Sequence, residues 1–182
     1  MPIKSIIIQL SLLICTPFYL LSQTPIKFEE VNKVPNVSRQ ELYQRARDFF
    51  IKEFKDMQES IQKQDSGSGE LVAKGQIFYE HDCHTRGVIS YTLYVFIKDG
   101  RYKDILSEFI HIPNPKNVEC TIFDFSNLYE DVEIPDCIHC QKKSHYCKKE
   151  YANMKSEISL FSKNITNKLK NDIKGVVNSK DW

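Results

Sequence analysis

The stretch Tyr91–Phe109, YTLYVFIKDGRYKDILSEF, constrains the fold more than any other part of the chain. Two strand-like runs flank Asp99-Gly100, a dipeptide that tolerates the positive φ angles of a two-residue type I′ turn. Side chains alternate along a strand, so the turn sets the register of everything beyond it. The expected pairs are Lys98 with Arg101, Ile97 with Tyr102, Leu93 with Leu106 and Ile89 with Ile110. Leu93–Leu106 and Ile89–Ile110 then share one face of the sheet, which is what a half-buried hairpin needs.

The rest of the chain is read around that hairpin. Its 182 residues are enough for one domain with a real core plus an export signal. Met1–Ser22 carries an early Lys4 and an apolar run from Ile6 to Leu21, ending in Leu20-Leu21-Ser22-Gln23. This is the pattern of a secretory signal peptide, with cleavage expected after Ser22 or Gln23. Pro17 and the shortness of the run argue against a retained membrane helix, and no later stretch is long and apolar enough to span a bilayer. Cys15 lies inside the apolar run behind the bulky Ile14, which does not suit lipid attachment. We therefore expect residues 1–22 to be a signal peptide, residues 23–182 to form a single exported domain, and that domain to reside in the periplasm or outside the cell. Without Lys4 the basic and acidic residues balance at 24 each. That balance argues against a nucleic-acid partner, which needs a basic field to neutralise phosphates.

Lys27–Val34 reads as a first strand, ended by Pro35 and turned by Asn36. Ser38-Arg39-Gln40-Glu41 is a capping box that opens a helix. Leu42, Ala46, Phe49, Phe50, Phe54 and Met57 recur at three- and four-residue spacings and form its apolar face. Ser60–Gln64 is a short strand candidate, and Asp65–Gly69 a hairpin tip without the lysine of a phosphate-binding loop. In the next strand, Glu70–Tyr79, Gly75 marks a bulge or a close approach. Residues 113–148 read as an irregular, cysteine-bearing excursion with at most one short element. Lys149 to about Val177 is a long helix whose stripe runs Met154, Ile158, Phe161, Ile165, Leu169, Ile173 and Val176. Its end is expected near Gly175 and Asn178. The order β-α-β-β-β-β-α predicts an α+β fold: an antiparallel sheet of about five strands with both helices on one face.

Several segments also resemble a known family. Ser38–Ala46 followed by Phe49, Ala73-Lys74-Gly75, Lys98-Asp99-Gly100-Arg101-Tyr102 and the terminal Asp181-Trp182 resemble, in that order, a family of exported bacterial proteins catalogued as domain of unknown function 4468. The likeness covers roughly Phe28–Ile112 well and the last helix loosely. It implies a TATA-binding-protein-like (TBP-like) fold and an export route. It supplies no catalytic or cofactor-binding residues, and the fold's name gives no licence for DNA binding. The cysteine-bearing stretch matches nothing in the family.

That stretch holds the sharpest chemical candidate. Cys137-Ile138-His139-Cys140 places two thiolates at a spacing that suits one tetrahedral zinc, and His145 with Cys147 can complete four ligands. The same Cys-x-x-Cys can act as a redox dithiol. In an oxidising compartment disulfides are the plain alternative among Cys83, Cys120, Cys137, Cys140 and Cys147. His81, Cys83 and His84 form a second cluster, either a solvated loop or a metal-binding turn. No nucleophile elbow, zinc-protease motif, Rossmann fingerprint or phosphate loop is present, and nothing marks an acid/base couple. The leading expectation is a non-enzymatic binding domain of the cell envelope, whose partner is a protein or other envelope ligand met on a free sheet face or edge strand. The alternative is a metal- or thiol-dependent protein built on Cys137, Cys140, His145 and Cys147.

Overall fold

The computed structural model describes residues 23–54, 60–81, 83–114, 123–132 and 144–175. The elements run β1 (Phe28–Lys33), α1 (Arg39–Glu53), β2 (Ile61–Asp65), β3 (Glu70–Tyr79), β4 (Gly87–Lys98), β5 (Arg101–Pro113), β6 (Ser126–Asn127) and α2 (Ser144–Lys174). The sheet is antiparallel with the order β1-β5-β4-β3-β2, and β6 adds to β5 beyond the end of β1. The expected α+β architecture is therefore the observed one, with β6 as an additional short strand.

The β4–β5 hairpin follows the expected register at its turn end: Lys98 pairs with Arg101, Ile97 with Tyr102 and Leu93 with Leu106. The turn is not type I′, because only Gly100, at φ 68°, has a positive φ in the Asp99-Gly100 pair. Further from the turn the register shifts. Ile89 faces His111, not Ile110, because β5 carries an extra residue between Ser107 and Ile110. Glu108 is the bulged residue, at φ 56°. Its carboxylate accepts from Thr92 Oγ1 at 2.6 Å and Tyr94 Oη at 2.8 Å, and these two bonds hold its pKa below the usual value. The bulge restores the core-facing alternation, so Phe109 and His111 both point inward and are buried.

Gly100 accepts from Val34 N–H at 2.9 Å and donates to Val37 C=O at 3.0 Å, so this turn also fixes the entry to α1. A Cβ at Gly100 would meet nothing nearer than Val34 O at 3.9 Å. The cost of a side chain there is backbone strain alone. Gly100→Ala is expected to lower unfolding free energy by about 1 kcal/mol, measured by urea denaturation, with the native spectrum retained. Gly75 is the expected close approach and not a bulge. It pairs in unbroken register with Tyr91, whose ring would lie 2.3 Å from an added Cβ.

Ser38 caps α1, with Oγ accepting from Glu41 N–H at 3.2 Å. The Glu41 carboxylate accepts from Arg45 Nη2 at 2.5 Å. Arg45 also donates to Ile173 C=O at 2.7 Å, tying α1 to the last turn of α2. Gly175, at φ 65°, takes the left-handed conformation that ends α2. The helix begins at Ser144, earlier than its apolar stripe suggested, and this first turn brings Cys147 and Tyr151 into the core. Met57, Val176 and Asn178 lie outside the described residues.

Both helices cover one face of the sheet. Leu42, Ala46, Phe49 and Phe50 of α1 and Met154, Ile158, Ile165 and Leu169 of α2 join Leu71, Ile89, Leu93, Val95 and Leu106 in one core. Tyr91 meets Phe161 at a ring separation of 4.8 Å. The opposite face of the sheet carries no helix.

Candidate functional site

Of the four metal candidates, Cys137 and Cys140 lie outside the described residues, as does Cys120. His145 is exposed and Cys147 is fully buried, both on α2. Two residues apart on a helix, their side chains leave the axis about 200° apart. His81 and His84 are likewise occupied separately. His81 Nδ1 lies 3.1 Å from Glu150 Oε2, while the His84 ring stacks on Phe123 at 5.3 Å and meets Tyr146 edge-on at 5.8 Å. Among the described residues, no group of three or more His, Cys, Asp or Glu side chains converges as a metal would require.

The structure instead assembles polar centres that no motif marked. The first is Glu150, which is 2% exposed. Its Oε2 lies within reach of three groups: Tyr79 Oη at 3.3 Å, His81 Nδ1 at 3.1 Å and Thr85 Oγ1 at 3.5 Å. Its Oε1 accepts from Asn153 Nδ2 at 3.2 Å. Thr85 passes the connection on, because its carbonyl accepts from His111 Nε2 at 3.0 Å. His111 Nδ1 then accepts from Phe125 N–H at 3.4 Å. Burial holds the imidazole pKa below its usual value, and this bonding pattern is that of the neutral ring with its proton on Nε2. The network fastens the 83–85 turn and the 123–128 segment to sheet and helix; it is structural in character.

The second centre is Asp104, on the core side of β5 and 1% exposed. Asn32 Nδ2 donates to its Oδ1 at 3.2 Å. Oδ2 has no partner, and neither does Tyr102 Oη or Ser162 Oγ. Burial, then the nearby Glu30 carboxylate, pushes the Asp104 pKa up to about 6. Burial, and after it the Asp104 charge, also raises the Tyr102 hydroxyl. Asp104 lines a cavity of about 440 Å³ between β1, β5 and α2.

The third feature is the uncovered sheet face. Val31 is 57% exposed, Phe78 81% and Ile112 45%, and all three side chains point away from the helices. Tyr94 and Phe96 lie parallel beside them, with ring centres 6.4 Å apart. A depression of about 490 Å³ is lined by Val31, Phe96 and Ile105, with Lys98, Arg101 and Lys103 around it.

A family model described as domain of unknown function (DUF4468) with TBP-like fold matches residues 28–111. Residues 28–111 are a DUF4468 domain. Two solved structures resemble the chain. A TBP-like protein from Parabacteroides distasonis ATCC 8503 superposes with a TM-score of 0.57 at 11% identity, covering 82% of this chain and 93% of that one. A DUF4468 family protein from Bacteroides ovatus ATCC 8483 gives a TM-score of 0.41 at 12% identity, covering 75% of this chain and 85% of that one. At such identity the first likeness establishes the TBP-like fold and nothing further. No curated protein matches the sequence.

The matched DUF4468 segment spans β1, α1 and β2 to β4, and nearly all of β5; β6 and α2 lie beyond it. The uncovered face therefore belongs mostly to the domain itself. Asp104 belongs to it as well, whereas Ser162 and Glu150 arrive on α2. Periodicity had one signal for Asp104. The hairpin register puts residues 102, 104 and 106 on the core face, so an acid at 104 was readable as buried. Glu150 sits one turn before Met154 on the apolar stripe, a weaker sign of the same kind.

Proposed function

We propose that this protein is an exported, non-enzymatic binding domain of the cell envelope, and that its helix-free sheet face receives a partner. The observation carrying this reading is the exposure of Val31, Phe78 and Ile112 on a face that also presents the Tyr94–Phe96 pair. Large apolar side chains gathered on one face mark interaction surfaces more often than scattered ones do. Lys98 and Arg101 at the depression favour a partner segment that is apolar and acidic, since opposite charge steers encounter and fixes register. The export half of the proposal is supported by the Met1–Ser22 pattern and by Cys83 and Cys147, neither of which is a titrating thiol. No described helix is long and apolar enough to cross a membrane.

A photo-crosslinking amino acid placed at Phe96 in the producing cell tests the surface. Discrete adducts are expected at Phe96 and absent at Leu160, which is 57% exposed on the helical side. Phe96→Glu should cut capture by a second crosslinker at Ile105 at least about tenfold while leaving the unfolding midpoint nearly unchanged. Equal adducts at Leu160, or none at Phe96, would remove the reading.

A further inference from the structure

The cavity behind the sheet carries a second inference, independent of the partner face. Its walls include Phe28 and Glu30 from β1, Asp104 from β5, and Ser159, Ser162 and Thr166 from α2. Two of these side chains, Asp104 and Ser162, are each 1% exposed and each keep an oxygen without a hydrogen-bond partner. Tyr102 Oη, close enough to feel the Asp104 charge, is a third such atom. Buried polar atoms left unpaired are costly, and a natural core rarely keeps several in one place without something to satisfy them.

Charge decides what that something is. The neighbouring acids are already neutralised: Glu30 by Lys170 at 2.8 Å, and Glu29 by Lys27 at 2.5 Å and by Lys103. Asp104 has only the neutral Asn32 amide. A desolvated carboxylate is stabilised by a cation that also donates hydrogen bonds. Water would supply the bonds without the charge, and a space of about 440 Å³ exceeds by roughly tenfold the ~30 Å³ that one water occupies. A divalent metal demands several oxygen ligands, and the described residues offer no such convergent group here.

The geometry points to a binding site for a small organic ligand bearing a primary ammonium group, its N–H bonds donated to Asp104 Oδ2 and Ser162 Oγ and its carbon chain lying beside Phe28. Lys163, exposed at the mouth of the cavity, then faces the outer end of the ligand. Affinity should fall as pH drops below about 6, where Asp104 takes up a proton. The other ionisable groups facing the carboxylate are Glu30 on β1, Lys170 on α2 and Tyr102 on β5. Lys170 and Tyr102 do not titrate in that range in their ordinary states, and the ion pair to Lys170 keeps Glu30 charged.

Two isosteric probes separate charge from shape: n-butylammonium and n-butanol, titrated into the isotope-labelled protein and followed by amide NMR at pH 7.5. Butylammonium is expected to give saturable shifts at the amides of Asp104 and Ser162, with butanol at least about tenfold weaker. Asp104→Asn, which keeps the shape and is expected to fold, should weaken butylammonium at least about tenfold and leave butanol unchanged. Equal binding of the two probes would overturn the site. So would an unchanged Asp104→Asn variant, or no saturable response up to about 50 mM amine.

Discussion

Asp104→Asn should make this protein more stable at pH 8, by about 1–3 kcal/mol, and should make no difference below about pH 4. The folded state raises the carboxyl pKa from 3.8 to about 6, through burial first and Glu30 second. A raised carboxyl pKa means that the native state holds the proton more tightly than the unfolded chain. The native state therefore binds more protons between pH 4 and 6, and stability declines as pH rises through that window. The gap between 3.8 and about 6 corresponds to about 3 kcal/mol when Asp104 is fully ionised. Asparagine keeps the acceptor for Asn32 and removes the charge; the amide's own desolvation returns part of the gain. Urea unfolding of both proteins at pH 4 and pH 8, without added amine, measures the effect. A variant less stable than the parent at pH 8 would show that something in the folded protein already compensates the carboxylate.

Glu150 is a buried carboxylate with the opposite expected outcome. Its surroundings supply four partners, from Tyr79, His81, Thr85 and Asn153. Removing it takes an acceptor from two groups that are themselves buried, Tyr79 at 4% and Thr85 at 0% exposed, and leaves a cavity beside them. At about 1 kcal/mol or more for each hydrogen bond lost to a charged group, Glu150→Ala is expected to cost about 3–4 kcal/mol. Glu150→Gln keeps one acceptor oxygen and should cost less. Because the carboxylate anchors the 81–85 segment to α2, hydrogen exchange at amides 83–86 should quicken more than in β4. A cost below about 1 kcal/mol would mean that the segment is held by its other contacts, chiefly His84 on Phe123 and Tyr146. The two acids share burial and differ in the number of donors they meet, and that number sets the sign of the expected change.

Neither acid could be told apart from the other by local pattern. Alternation around Leu93 and Leu106 is enough to place residue 104 on the core face, and the stripe through Met154 and Ile158 is enough to place residue 150 near it. Whether either finds donors depends on segments far along the chain. Asp104 shares its cavity with Ser162 of α2, and Glu150 meets Tyr79 across 71 residues. The cysteine cluster was the opposite case. Its motif was conspicuous in the sequence, yet His145 and Cys147 leave α2 in different directions.

What the sequence alone determined was local and periodic: the Ser38 cap, the apolar faces of both helices, the Asp65–Gly69 tip, and the pairing of Lys98 with Arg101 through Leu93 with Leu106. Each rests on interactions within a few residues or on a repeat that secondary structure imposes. Tertiary structure alone decided the bulge at Glu108, which moves Ile89 opposite His111 and is held by Thr92 and Tyr94 from the neighbouring strand. It also decided which sheet face stays bare, and which buried acid is satisfied. Those outcomes depend on desolvation and on partners delivered from distant elements, and a periodic pattern shows where a side chain points without showing what will meet it there.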